Sequence, residues 1–289
     1  MTKTAWVFPG QGSQAPGMGV DLLELPLAQD KLTQAKEILG WSVTEICQSD
    51  EKLSRTLYTQ PCLYTIASIL ADVIKEKEKP DVVAGHSLGE YVALYVAGVF
   101  DWSTGLQIVK RRAELMDNTA GGMMAALMNF DREQLEQVIT QTPNVVLAND
   151  NSPAQVVISG TPEAVEAVTS QVKAKRAVRL DVSGAFHSPL MATAAAKFRE
   201  VLEALEFQQA TVPVLSNVEP VPSVDADVLK QRLIQQMTSS VRWRETSLAL
   251  PENGITRVVE IGPGKVLTGL IKRTCTDLVL ENVQKISDL

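Results

Sequence analysis

Asp81-Val82-Val83-Ala84-Gly85-His86-Ser87-Leu88-Gly89-Glu90-Tyr91-Val92-Ala93-Leu94 is the stretch on which the fold turns. Val82, Val83 and Ala84 read as a short buried strand, and the residues from Glu90 have few breakers until Gly98, as a helix requires. Between them stands G-x-S-x-G. A strand that enters a helix through this pentapeptide places its serine on a tight, strained turn. The flanking glycines let strand and helix approach while the hydroxyl stands clear of the backbone. Ser87 therefore reads as a nucleophile for a carbonyl carbon.

Upstream and downstream, the chain alternates strands and helices. Strands are expected near residues 4–8 and 81–85, and helices near 28–39, 62–77, 88–97 and 103–118, which implies a mainly parallel α/β sheet. The rhythm changes at Gly121-Gly122. Strand 123–128, helix 132–140, strands 145–148 and 155–159, helix 162–173 and strand 177–182 follow in β-α-β-β-α-β, or ferredoxin-like, order. Asp131 and Thr161 stand at N-cap positions, Pro162 at a first helical position, and Asn149-Asp150-Asn151-Ser152-Pro153 reads as a turn cluster. The α/β rhythm then resumes, with helices near 190–206, 226–237, 243–250 and from 265, and strands at 213–215 and 256–260. Residues 1–122 and 187–289 thus form a discontinuous large unit, and 123–186 an insert overhanging its sheet edge. A ligand is expected in the cleft between them.

The composition narrows the possible functions. No apolar run reaches about 18 residues, which argues against a membrane span, and the N-terminus passes directly into a strand without an apolar leader. A cytoplasmic location is expected. A net charge of -7 argues against nucleic-acid binding, which needs a basic stripe. Cys47, Cys62 and Cys275 are too scattered for a disulfide framework or a metal site, so no metal is expected.

A serine at its ordinary pKa needs a base, and the chain has two histidines. His86 adjoins Ser87 on a turn that makes neighbouring side chains diverge. His187, where the chain leaves the insert, is the better base, and it puts the active site at the junction of the two units. An oxyanion hole needs converging N–H donors. In such an elbow one donor is the residue after the serine, Leu88, and the other is expected from a loop after an early strand, as in Phe8-Pro9-Gly10-Gln11-Gly12-Ser13-Gln14. That loop also fits G-x-G-x-x-G/A, yet Pro9 and Pro16 flank it and no acidic residue closes a second strand about 20 residues on, as a dinucleotide site requires. Gly262-Pro263-Gly264-Lys265 lacks the upstream glycine and the hydroxyl residue of a P-loop, and reads as a strand-to-helix turn.

Four segments together, Gly10-Gln11-Gly12-Ser13-Gln14, Gly85-His86-Ser87-Leu88-Gly89-Glu90, Ala185-Phe186-His187-Ser188 and Glu260-Ile261-Gly262-Pro263-Gly264-Lys265-Val266-Leu267-Thr268-Gly269-Leu270, resemble the malonyl-CoA:acyl-carrier-protein transacylases of type II fatty acid synthesis. The likeness runs from the first strand to about residue 273. It implies an α/β-hydrolase-like core with a ferredoxin-like insert, Ser87 as nucleophile, His187 as base, and the backbone N–H groups of Gln11 and Leu88 as oxyanion donors. It further implies Arg112, four residues before Met116, as the group that holds the malonyl carboxylate. The Gln236 backbone carbonyl would orient His187, although Thr238 and Ser239 depart from the aromatic and Asn of the family's pattern. Phe186 and Leu88 match the malonyl-selective pattern and not the methylmalonyl one. A guanidinium fork suits a carboxylate on independent grounds, whereas Lys110-Arg111-Arg112 also reads as a solvated helix face.

The resemblance implies a ping-pong transfer from malonyl-CoA to the phosphopantetheine thiol of acyl carrier protein through a malonyl-serine, without metal or redox cofactor, by a monomer. Carrier proteins of this kind are acidic. Lys173, Lys175, Arg176 and Arg179, or Lys265, Lys272 and Arg273, could receive one, and ordinary solvated side chains are the competing reading. A trans-acting acyltransferase of a polyketide assembly line would share every residue named. A serine thioesterase or esterase would share elbow and base and release the acid to water.

Overall fold

The computed structural model describes residues 2–288. In chain order the elements are β1 (Thr4–Phe8), α1 (Pro26–Leu39), α2 (Val43–Cys47), α3 (Asp50–Ser54), α4 (Thr56–Lys75), β2 (Val82–Gly85), α5 (Gly89–Val96), α6 (Trp102–Asp117), β3 (Met123–Phe130), α7 (Arg132–Gln141), β4 (Val145–Ser152), β5 (Gln155–Gly160), α8 (Pro162–Gln171), β6 (Ala174–Arg179), α9 (Ala192–Glu203), β7 (Val214–Leu215), α10 (Ala226–Gln236), α11 (Trp243–Glu252), β8 (Arg257–Ile261), α12 (Val266–Lys272) and β9 (Val279–Val283).

Two sheets result. The first has the order β7-β2-β1-β8-β9 and is parallel throughout. Its central strand is buried on both sides, and alternation along it separates two cores: Trp6 and Phe8 face a layer with α4, α5 and α6, while Ala5 and Val7 face a layer with α11 and α12. The second sheet has the order β4-β5-β3-β6 and is antiparallel. Met123, Ala125 and Leu127 on β3 pack beneath α7 and α8, while Met124 and Ala126 turn the other way and join the main core. The antiparallel sheet is thus packed by its inner face on the core beside the parallel sheet. Its β4 is also stitched there by backbone: the Val241 N–H donates to Ala148 at 2.8 Å and the Asp150 N–H to Val241 at 3.0 Å.

Most of the expected strands and helices are present, and two of the expected caps form: Asp131 accepts from the Gln134 N–H and Thr161 from the Ala164 N–H. Four local readings are corrected. Asn149 to Ser152 is not a turn. It continues β4 through two register irregularities, because the bonds to β5 and to Val241 outweigh the turn preference of Asn and Asp. The helix expected from 62 begins at Thr56 and runs through Pro61, whose missing N–H costs one bond near the helix start while the surrounding residues are buried. The strand expected at 177–182 lies at Ala174–Arg179, and β9 with the short α2 and α3 was not expected at all. Among the described residues α4 alone is long and apolar enough to cross a membrane, and most of it is buried inside the protein, as a core helix would be.

Candidate active site

β2 delivers Ser87, and α5 starts two residues later. Ser87 adopts φ 50°, the left-handed region that a serine enters only under constraint. The constraint is visible on both sides: a Cβ at Gly85 would collide with the Gly89 backbone, and one at Gly89 with the Phe8 carbonyl. Asn217 closes the turn, its Oδ1 accepting from the Ser87 N–H at 2.7 Å and its Nδ2 donating to the Gly85 carbonyl at 2.5 Å.

The loop after β6 brings His187 back to the elbow. Its φ of 56° is again left-handed, and the residue is buried. Nε2 lies 2.8 Å from Ser87 Oγ, and Nδ1 lies 2.9 Å from the Gln236 backbone carbonyl. A carbonyl can only accept, so Nδ1 carries the proton and Nε2 presents its lone pair to the serine. Burial first, and then the neighbouring Arg112 charge, push the imidazole down to about 3, which keeps it neutral at ordinary pH. His86 points elsewhere: its Nε2 meets Asn151 Oδ1 at 2.8 Å and its ring lies edge-on to Trp243.

Arg112 reaches the site from α6 and is fully buried. It donates to Ser87 Oγ at 3.0 Å, Gln236 Oε1 at 3.0 Å and Gln60 Oε1 at 2.7 Å, and sits over the Tyr91 ring. No ion pair among the described residues includes Arg112. Arg111 next to it is half-exposed and pairs with Glu114, so the solvated-face reading applies to that arginine alone.

Ser87, His187, Arg112 and Gln236 thus form one hydrogen-bonded cluster. Gln11, Leu88 and Phe186 join Ser87, His187 and Arg112 around a cavity of about 180 Å³, closed on the insert side by Met124, Asn149, Asn151, Val157, Leu180 and Val182. Neither the Gln11 nor the Leu88 N–H donates to another described residue. The Gln11 side chain is anchored to Thr56 Oγ1. Lys173, Lys175, Arg176 and Arg179 are exposed on and beside β6, and Lys265, Lys272 and Arg273 are exposed on and beside α12. Gly262 to Lys265 is the expected turn, with Glu260 accepting from the Leu267 and Thr268 N–H groups.

Sequence reasoning missed Gln60, Glu90, Asn217, Asn149 and Asn151. For Glu90 a signal existed, namely a lone charged residue in an otherwise apolar helical run. Asn217 offered none, since it lies in a loop far along the chain from the turn it braces.

The acyl transferase domain family matches residues 5–288 of the chain. The malonyl CoA-acyl carrier protein transacylase of Synechocystis sp. is 63% identical over 289 residues, covering 99% of each chain. The crystal structure of Synechocystis sp. PCC 6803 malonyl-CoA:ACP transacylase superposes with a TM-score of 0.98 at 62% identity, again over 99% of both chains. A solved complex of a type II PKS acyl-carrier protein with its malonyl-transacylase superposes at 0.94 with 37% identity, covering 99% of this chain and 97% of the other.

Proposed function

The chain belongs to the acyl transferase domain family, and on that premise we propose that it transfers malonyl from malonyl-CoA to the phosphopantetheine thiol of acyl carrier protein for fatty acid synthesis. The observation that carries this reading is the fully buried Arg112, hydrogen-bonded to the nucleophile and to neutral acceptors, with no carboxylate of the described residues in its fork. A buried guanidinium so placed is suited to an acyl group that ends in a carboxylate.

His187 Nε2 takes the Ser87 proton as Oγ attacks the thioester carbonyl. The Gln11 and Leu88 N–H groups, both free to donate, receive the oxyanion, and the start of α5 adds its dipole. The intermediate collapses, His187 returns the proton to the leaving CoA sulfur, and malonyl remains as an ester on Ser87. The carrier-protein thiol then repeats the steps in reverse, its proton passing to His187 and back to Ser87 Oγ. Phe186 and Leu88 bound the space beside the acyl α-carbon and favour malonyl over methylmalonyl. The Gln236 carbonyl holds the His187 tautomer. The architecture reads as an α/β-hydrolase-like core, 1–122 and 187–289, with a ferredoxin-like insert, 123–186. The enzyme works as a cytoplasmic monomer without metal or redox cofactor. An acidic carrier protein meets the basic side chains of β6 or α12, which flank the cavity.

Intact-protein mass spectrometry after mixing with malonyl-CoA tests the reading. A malonyl adduct is expected, absent in Ser87→Ala and discharged by holo-carrier protein, more slowly in a Lys265→Glu/Lys272→Glu variant if α12 is the docking face. Release of the adduct to water at the same rate with and without carrier protein would make the chain a hydrolase instead.

A further inference from the structure

Glu90 has no part in the chemistry above, yet it is buried to 1% exposure on the first turn of α5, three residues from the nucleophile. Its Oε2 accepts from Gln236 Nε2 at 2.7 Å and from the Asn217 N–H at 3.2 Å. Oε1 meets no donor at full hydrogen-bonding geometry among the described residues, and the Ser216 hydroxyl, likewise unpaired there, lies beside the carboxyl and favours its charged form. A buried carboxylate is costly unless a cation is near. The nearest fully buried cation is Arg112, and one side chain joins the two.

That side chain is Gln236. Its Nε2 donates to Glu90 and, at 2.9 Å, to the Ser87 carbonyl, so its amide can face in only one direction and its Oε1 must meet Arg112. The order carboxylate, carboxamide, guanidinium follows. A carboxylate in direct contact with Arg112 would balance its charge and also fill the fork that the substrate needs. One placed a carboxamide's length away balances the charge and leaves the fork open.

We propose that Glu90 is the counter-charge of Arg112, held at one remove through the Gln236 carboxamide so that the guanidinium stays available to the substrate carboxylate. The proposal rests on the reading of Arg112 as the malonyl-binding group. Glu90 is a positioning and charge-balancing residue, and its field also moderates the grip of Arg112 on malonyl, which must be surrendered to the thiol. The net shift of the Glu90 carboxyl is upward, driven by burial, with Gln236, the Asn217 N–H, Ser216 and the Arg112 charge opposing the rise.

Glu90→Gln separates charge from shape. The amide oxygen can still accept from Gln236 and Asn217, and the new NH2 finds an acceptor in the Ser216 hydroxyl. The variant is expected to fold with wild-type near-ultraviolet circular dichroism. Single-turnover loading of Ser87 from malonyl-CoA and acetyl-CoA should then show the malonyl-to-acetyl ratio of kcat/KM rising by roughly fivefold, because the fork has lost an opposing charge a few ångströms away. Discharge of malonyl-Ser87 to carrier protein should slow. An unchanged ratio, a shift toward acetyl, or a thermal unfolding midpoint no lower than that of the wild type would overturn the proposal, since a lost counter-charge must leave Arg112 less well balanced. Failure of the wild-type enzyme to prefer malonyl would overturn the underlying reading of Arg112 instead.

Discussion

At the scale of single residues, the site depends on keeping His187 neutral. Its pKa, near 6.5 in an ordinary setting, is held at about 3 by burial and by the Arg112 charge. The native imidazole therefore refuses a proton that the unfolded chain accepts below pH 6.5, with two consequences of known sign. The reactivity of Ser87 toward a neutral sulfonyl fluoride should stay level as pH falls from 7 to 5, with no acid limb at 6.5. Conformational stability should fall over the same interval and below, since the unfolded state binds more protons. Sulfonylation rates and thermal unfolding midpoints measured across pH check both, and a rate that halves near pH 6.5 would contradict the buried, neutral base. That Ser87 and His187 would be the pair to meet could be read from the sequence, because an elbow glycine pattern and a choice between two histidines leave few options, and the two lie 2.8 Å apart. The partners of Arg112 were not legible. Gln60 and Gln236 come to it from α4 and α10, 52 and 124 residues away in the chain.

At the scale of elements, β4 holds the two units together, and the sequence misled about it. Asn149-Asp150-Asn151 has the composition of a turn, yet burial and pairing to β5 and Val241 make it a strand that carries polar side chains toward the site. Propensity loses here to hydrogen bonds formed across long sequence separations, which no local pattern records. Asp150 is the pin: its carboxylate receives Arg132 from α7 at 2.8 Å and Arg244 from α11 at 2.9 Å. Asp150→Ala should cost about 1–3 kcal/mol, the range for stranding the partners of a mostly buried charge. It should also lower malonyl loading by loosening Asn151, which meets His86 beside the nucleophile. Calorimetry and loading rates on the same preparation check this, and a stable variant with normal loading would show that the backbone bonds suffice. By contrast, α6 and α9 were readable because each turns one apolar face onto neighbouring helices, α6 onto α4 and α1 and α9 onto α6 and α10, and α5 because it is an apolar run with few breakers.

At the scale of the whole molecule, a parallel sheet presents a serine at the C-terminal end of β2, and an inserted antiparallel sheet roofs it. Ser87 and Arg112 stand beside the parallel sheet, and Met124, Asn149, Asn151 and Val157 of the antiparallel sheet line the far side, so both sheets build the cavity. Its small volume and buried charge suit a short acyl group with a terminal carboxylate. The central claim is that Arg112 makes this pocket one for malonyl. The most direct measurement is the ratio of kcat/KM for single-turnover Ser87 acylation by malonyl-CoA and by acetyl-CoA in wild type and Arg112→Ala. The account predicts a roughly 100-fold fall in that ratio, about 3 kcal/mol for losing a buried charge pair, with acetyl loading much less affected. An Arg112→Ala enzyme that kept the wild-type preference for malonyl would contradict it.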